Sequence, residues 1–475
     1  MEQISQTEQQ SHILSLARGT NDNILITALA GTGKSTMLEL IEQARPAAPI
    51  LYLSFGKLDS QKAAERVGDT TTVRTFNSLG HRIWNQYVGR NCKPDITKCA
   101  NIYKGFINAA PSNKRKDLWE IYSQVLDGVQ KAKALGYIPS THAMAKQSAC
   151  AWADVIEAME EAPDPFVRAN VDKILTASIK AAYDGQIDFD DQVYMASLFG
   201  GTFPSFPLVL GDEAQDWNPI NWVMYDKLVK SSRGILVGDP NQSIYAFRGA
   251  VPQALARAQR RYAMVSAGLT VSFRCPRRIV EHVHWHVPDF RWNKEGGSVV
   301  NLGQLTCSDV HGSATFICRN NAPLYRLALL FLGAGHSVNV QGADIGPRLL
   351  NQMKRLTKED TPRAKVLELI SEWEYTREIK GSKTAKDTAE CMRVFASHGA
   401  NLGQALVYAK HLFAQEGKLV FTTGHKAKGR EWDTVFIVDN HLLRSGEDQE
   451  DNLAYVMATR SANQLYYIDS RMVTP

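Results

Sequence analysis

The chain has 475 residues, 44% hydrophobic and 22% charged, with a net charge of +5. That length predicts about two to four domains with real cores, and the mild basic excess permits a nucleic-acid partner without demanding one. No apolar run reaches the roughly 18 residues of a membrane helix, and seven scattered cysteines lack any C-x-x-C, so membrane-spanning and disulfide-stapled secreted classes are excluded in favour of a cytoplasmic protein with reduced thiols. The polar start MEQISQTEQQ does not read as a secretory leader.

In chain order, Asn23–Leu29 (NILITAL) is a short apolar run of strand type, followed by AGTGKS and a helix through Met37–Ile41. Pro49–Ser54, Val73–Phe76, Phe206–Leu210 and Gly234–Val237 are further strands. Between Arg82 and Ala182 the texture is helical: Val167, Val171, Ile174, Leu175 and Ile179 recur at helical spacing. A second strand series follows at Ala314–Cys318, Ser337–Val340, Leu419–Thr422, Thr434–Val438 and Gln464–Ile468, interrupted by a polar helical segment between Gly346 and Gly417. Apolar strands alternating with helices predict an α/β class with parallel sheets.

Ala28–Ser35 (ALAGTGKS) fits [AG]-x-x-x-x-G-K-[ST]. Backbone N–H groups of Ala30, Gly31, Thr32 and Gly33 would cradle phosphates, Lys34 would reach the β and γ phosphates, and Ser35 would ligate Mg²⁺. An ordinary glycine turn is the bland alternative, disfavoured by the strand before and the helix after. Leu208–Asp216 (LVLGDEAQD) ends an apolar strand in paired acids. Asp212 would hold Mg²⁺ and Glu213 would act as general base on water. Alone this is equally a solvated strand end; with the loop upstream it predicts ATP hydrolysis. Gln242, at the end of the next strand, would reach the γ-phosphate side.

DEAQD followed by VGDPNQSIYAFRGA resembles motifs II and III of superfamily 1A DNA helicases, the UvrD/Rep/PcrA-like group. Thr7-Glu8-Gln9 resembles the adenine-reading motif, with Gln9 the reader and Gln10 its rival. Leu51–Val67 resembles motif Ia, Thr75–Gly80 (TFNSLG) the TFHS motif, IDFDDQ the FDDL element, Leu269–Val280 motif IV, TTGHKAKGREWDTVFIVD motif V and NLAYVMATRSANQLYYI motif VI. The look is closest to the branch with the F-box DNA helicases and short phage or bacterial members. The resemblance implies two RecA-like P-loop domains with parallel sheets, each carrying a mainly helical insertion. The segments are 1–81 and 185–265 for the first core, with insertion 82–184, and 266–346 and 419–475 for the second, with insertion 347–418. It implies ATP between the cores, Arg274 and Arg460 on the γ-phosphate, Phe273 stacked on adenine, Glu431 on the ribose and Gly429 keeping the backbone close. Thr36 is placed in the nucleotide site too, where UvrD-like enzymes often carry arginine.

The resemblance also places Phe55, Thr75, Phe76, Tyr245, Phe247, Arg248 and His425 along single-stranded DNA, where aromatics stack on bases of any sequence. An extended Tyr245–Phe247 segment would put both rings on one face. Phe55 is equally readable as a buried ring. Gly56 and Asn77 depart from the family's FNK and TFHS. The tail after Arg460 is short, so translocation is implied more directly than duplex opening. Of two distractors, HVHWH (His282–His286) reads as a helix face rather than a metal site, and the basic run Asn113–Lys116 as a solvated turn rather than a duplex contact. The implied function is an ATP-dependent helicase or translocase. It would move 3′ to 5′ on single-stranded DNA or at duplex junctions, act as a monomer, and serve replication, recombination or repair alongside the proteins of those processes. The alternatives are a translocase that strips proteins from DNA, and an ATP-gated binding switch.

Overall fold

The computed structural model describes residues 6–44, 49–341 and 345–475, so the first five residues of the polar start lie outside it. The chain divides into two compact units: the first runs up to Ala28 and from Gly33 to Leu269, and the second takes Leu29–Thr32 and Thr270–Pro475.

In the first unit, strands β1 (Ile24–Ala28), β2 (Ile50–Ser54), β3 (Thr71–Thr75), β4 (Leu208–Gly211), β5 (Arg233–Gly238) and β6 (Val265–Leu269) form one sheet. Its order is β3-β2-β4-β5-β1-β6, and every pairing is parallel. Strands β2, β4 and β5 are buried at every position, which is why they read as unbroken apolar runs. β6 was not foreseen. Only Leu269 of its sequence VSAGL is buried, because it is an edge strand. It pairs with β1 from Ile24↔Val265 to Ala28↔Leu269, so a boundary at 265/266 cuts a strand that belongs whole to the first unit.

Among the helices that launch from the sheet or its approach are three that carry residues singled out in the sequence. α1 (Glu8–Gly19) starts in a capping box, with Thr7 Oγ1 accepting from the Gln10 amide and Gln10 Oε1 accepting from the Thr7 amide. α2 (Lys34–Gln43) follows β1, and α3 (Phe76–Val88) follows β3 directly. Phe76 therefore begins a helix rather than ending a strand. The helical region comprises α4 (Lys98–Ala109), α5 (Tyr122–Leu135) and α6 (Pro165–Tyr183), packed around Val125, Val129, Val171, Ile174 and Leu175, before α7 (Asp191–Leu198). α6 begins where Asp164 caps the Val167 amide and Pro165 takes the first turn. The run Asn113–Lys116 lies not in a turn but on a short helix, Ser112–Glu120, with no buried residue. Arg115 there bonds the carbonyls of Ala110 and Asn108 at 2.9 and 2.8 Å.

A buried charge cluster ties this region to α7. Lys133 Nζ lies 2.5 Å from Asp188 and 2.8 Å from Asp191, and Lys98 Nζ lies 2.6 Å from Asp191. Both lysines and Asp191 are nearly sealed from solvent. Two positive and two negative groups balance, which is what makes burial tolerable.

The second unit has its own parallel sheet, in spatial order Val338–Val340, Leu419–Thr423, Ala314–Cys318, Trp432–Val438, Ser461–Ile468 and Ser298–Asn301. Phe316 stacks between Phe421 and Phe436 at 4.8 and 4.7 Å across the sheet face. Between the first two of these strands lie helices Ile345–Leu356, Arg363–Ile379, Ala385–His398 and Leu402–Phe413. HVHWH is not a helix face: the helix Arg277–His282 ends at its first histidine. The three rings face different partners, His282 with Tyr467 Oη at 2.7 Å, His284 with the Phe290 carbonyl at 2.8 Å and His286 with Asn452 Oδ1 at 2.9 Å. That divergence leaves no shared metal position among them. All seven cysteines are free thiols, and no helix among the described residues is long and apolar enough to cross a membrane.

Candidate functional site

At the sheet's carboxyl end in the first unit, Gly33 (φ 84) opens α2, and its carbonyl accepts from Met37 N at 2.8 Å. The first turn carries half-buried Lys34, exposed Ser35 and half-buried Thr36. Asp212 follows β4 and is buried. Its Oδ2 accepts from Tyr52 Oη at 3.0 Å and Ser35 Oγ at 3.5 Å, and its Oδ1 from the Glu213 amide at 2.8 Å. Burial, then the Glu213 carboxylate, pushes the Asp212 carboxyl up to about 7, with Lys34 opposing. A carboxylate so destabilised, with the exposed Ser35 hydroxyl turned toward it, suits a hard divalent cation, and Ser35 and Asp212 are the residues that would hold Mg²⁺.

Glu213 adopts a left-handed backbone (φ 50, ψ 41), rare for a residue with a side chain. Its carboxylate lies 3.9 Å from Lys34 Nζ. It also accepts from Gln215 Nε2, whose own Oε1 accepts from the Asp239 amide at 3.0 Å. Asp239 in turn accepts from Gln242 Nε2 at 2.6 Å. Gln215 and Asp239 thus link Glu213 to Gln242. Sequence reasoning passed over both, although they stand inside the quoted DEAQD and GDPNQ; their signal was a polar residue two positions after Glu213 and another three before Gln242.

Gln242 is three residues from Tyr245, where the aromatic row begins. The Phe55 and Tyr245 rings stack at 6.3 Å and 17°, and Phe247 meets Tyr245 edge-on at 6.0 Å. Phe55 is not buried (36% exposed) and Phe247 is half exposed. The segment is not extended, since Ala246–Arg248 is a single tight turn closed by Gly249 at φ 85. The turn, not strand alternation, brings the rings together. The Arg248 side chain lies outside the described residues.

One strand-facing expectation meets contrary geometry. Phe76 is only 3% exposed and packs edge-on against Trp217 at 4.9 Å, so its ring is core. Thr75 Oγ1 accepts from Ser78 N at 3.1 Å as the cap of α3. A ring that sequence reading missed is Phe189, 57% exposed, whose carbonyl accepts from Asn77 Nδ2 at 3.1 Å. Gln9 is half-buried, whereas its rival Gln10 is buried in the cap of α1, with Nε2 3.7 Å from where a Cβ on Gly33 would stand.

In the second unit, Leu29–Thr32 pack with the segment after Thr270. Ser272 Oγ donates to the Ala30 carbonyl at 3.0 Å, and Phe273 N to the Gly31 carbonyl at 2.8 Å. Ala30 N donates to Tyr455 Oη at 3.0 Å, and Thr32 Oγ1 to the Leu29 carbonyl at 2.9 Å. Gly31 has φ 68, and a Cβ there would lie 2.5 Å from Arg274 Cβ, so glycine is required twice over. Phe273 is half-buried. Arg274 Nε pairs with Glu431 Oε2 at 2.5 Å. Arg460 is nearly fully buried, with Nε on the Val456 carbonyl at 2.8 Å and Nη1 on the Arg430 carbonyl at 3.2 Å. Gly429 (φ 79) is exposed, and half-buried His425 sits in the one-turn helix Gly424–Ala427.

The UvrD/REP helicase N-terminal domain matches residues 6–263, and the UvrD-like helicase C-terminal domain matches residues 418–468. F-box DNA helicase 1 of Gallus gallus is 23% identical over 97% of this chain and 49% of its own length. F-box DNA helicase protein 1 of Schizosaccharomyces pombe is 24% identical over 98% of this chain and 57% of its own length. The chain therefore spans about half the length of the curated relatives it matches. The N-terminal model alone covers more than half of the sequence, and the two six-stranded parallel sheets are those of a pair of RecA-like units: the chain belongs to the UvrD/REP helicase family.

Proposed function

We propose that the chain is an ATP-driven motor that moves 3′ to 5′ along single-stranded DNA and opens duplex ahead of it. The observation that carries the coupling of turnover to DNA is the hydrogen-bonded path Glu213–Gln215–Asp239–Gln242, which ends three residues before Tyr245 and its stacked neighbours; the polarity and the duplex opening rest on the family alone. A change at Glu213 has a short covalent and hydrogen-bonded route to the rings.

The roles follow from chemistry. The backbone amides of Gly31–Gly33 and the Lys34 ammonium hold phosphate oxygens, the Ala30 amide being taken by Tyr455 Oη. Mg²⁺, when bound, neutralises charge developing on them. Glu213 takes a proton from water as its left-handed backbone aims it beside Lys34. Gln242 reports on the same phosphate. In the second unit Phe273 offers a face to the base, Glu431 and Gly429 serve the ribose, and Arg274 and Arg460 serve the phosphates. Each of these arginines has first to leave its present partners, Glu431 and the carbonyls of Val456 and Arg430. Gln9 or Gln10 reads the base edge; the cap that fixes Gln10 beside Gly33 favours Gln10. Phe55, Tyr245, Phe247 and Phe189 form stacking surface for successive bases, with Thr75, Arg248 and His425 on the backbone.

Strand displacement on duplexes carrying either a 3′ or a 5′ single-stranded tail tests the reading. ATP-dependent displacement from the 3′-tailed substrate is expected. Displacement from the 5′-tailed one alone overturns the polarity. Displacement from neither, with ATP turnover intact, reduces the function to translocation without unwinding.

A further inference from the structure

Helix α5 touches two ring-bearing loops from opposite faces. Lys131 and Leu135 are four residues apart and share a face, while Lys133 points about 200° away from Lys131. On the first face, Lys131 Nζ donates to the Phe247 carbonyl at 3.2 Å. Within the turn, Gly249 N donates to the Ala246 carbonyl at 2.8 Å and Ala250 N to the Tyr245 carbonyl at 3.2 Å. Leu135 lies so close that a Cβ on Gly249 would come within 2.3 Å of its Cδ2. On the other face, Lys133 binds Asp188 and Asp191. These carboxylates also accept each other's backbone amides, Asp188 N to Asp191 at 2.9 Å and Asp191 N to Asp188 at 3.0 Å, closing the turn that displays Phe189.

We propose that α5 is a post that sets the spacing of Phe247 and Phe189, and that Lys131 is a positioning residue for the grip on a single strand. The Lys131 ammonium bonds the main chain of Phe247. It fixes a carbonyl and so the tilt of the turn that carries Phe247. The inference rests on the reading of these rings as strand-facing.

The test is Lys131→Met in the full chain, with ATP turnover measured without DNA and across a titration of oligo(dT). The half-stimulating oligo(dT) concentration is expected to rise about tenfold, the worth of a charge-assisted hydrogen bond. DNA-independent turnover should stay within about twofold, and Lys131→Arg should restore wild-type response. In a Phe247→Ala background the same change should add less than about twofold, because the ring it positions is gone. An unchanged half-stimulating concentration, or a full additive loss in that background, overturns the inference while leaving the motor reading standing. A wild-type chain that ignores oligo(dT) sinks the motor reading and takes this inference with it.

Discussion

Glu213→Gln is expected to lower ATP turnover by about 10²–10⁴-fold, the span of a lost general base, while nucleotide binding stays within a few-fold. The substitution keeps size and shape, so Gln215 still finds an oxygen to donate to and the path to Gln242 survives. What disappears is the proton acceptor beside Lys34. One of the two causes that hold Asp212 near 7 also weakens, because burial remains but the Glu213 charge is gone. The cation site therefore keeps its carboxylate more fully ionised at neutral pH, which favours retained binding. Phosphate release and equilibrium binding of a fluorescent ATP analogue measure the two halves. Turnover within about threefold of wild type removes Glu213 as the base.

Lys133→Met is expected to destabilise the first unit by about 3–5 kcal/mol, because it strips a buried carboxylate pair of its main counter-charge. For a unit of this size that is a fall in melting temperature on the order of 10 °C. Burial pushes Asp188 up, but Lys133 first, then Lys98 and the Asp191 amide, together more than compensate and hold it at about 2. The folded value lies below the ordinary carboxylate value. This contribution is therefore fully present above about pH 4 and is lost as pH falls toward 2. The gap between wild type and variant should accordingly narrow over that window. Thermal melts at pH 7 and pH 3 check both statements. A variant as stable as wild type at pH 7 contradicts the account of the cluster.

How much of this was legible beforehand depends on the kind of residue. The central strands announced themselves because parallel strands buried on both faces leave runs such as ILYLS and GILV. The edge strand VSAGL carried no such run, since solvent covers most of it. The phosphate loop and DEAQD were readable because backbone geometry demands those residue types at those spacings. Phe76 was not, because an aromatic at a helix start looks the same whether it faces a strand of DNA or Trp217. Lys98 and Lys133 were invisible for a similar reason. A lysine on a helix reads as solvated surface, and only the fold brings it to Asp188 and Asp191 from more than fifty positions away. The HVHWH histidines looked like one group in sequence, yet the end of their helix sends the rings to three different partners.

The central claim is that events at Glu213 and the grip of the Tyr245 row are one machine. Steady-state ATP hydrolysis with and without saturating single-stranded oligo(dT) tests it most directly. Stimulation of at least about tenfold, lost in Glu213→Gln, is the result the account predicts. Turnover that is the same with and without DNA would contradict it.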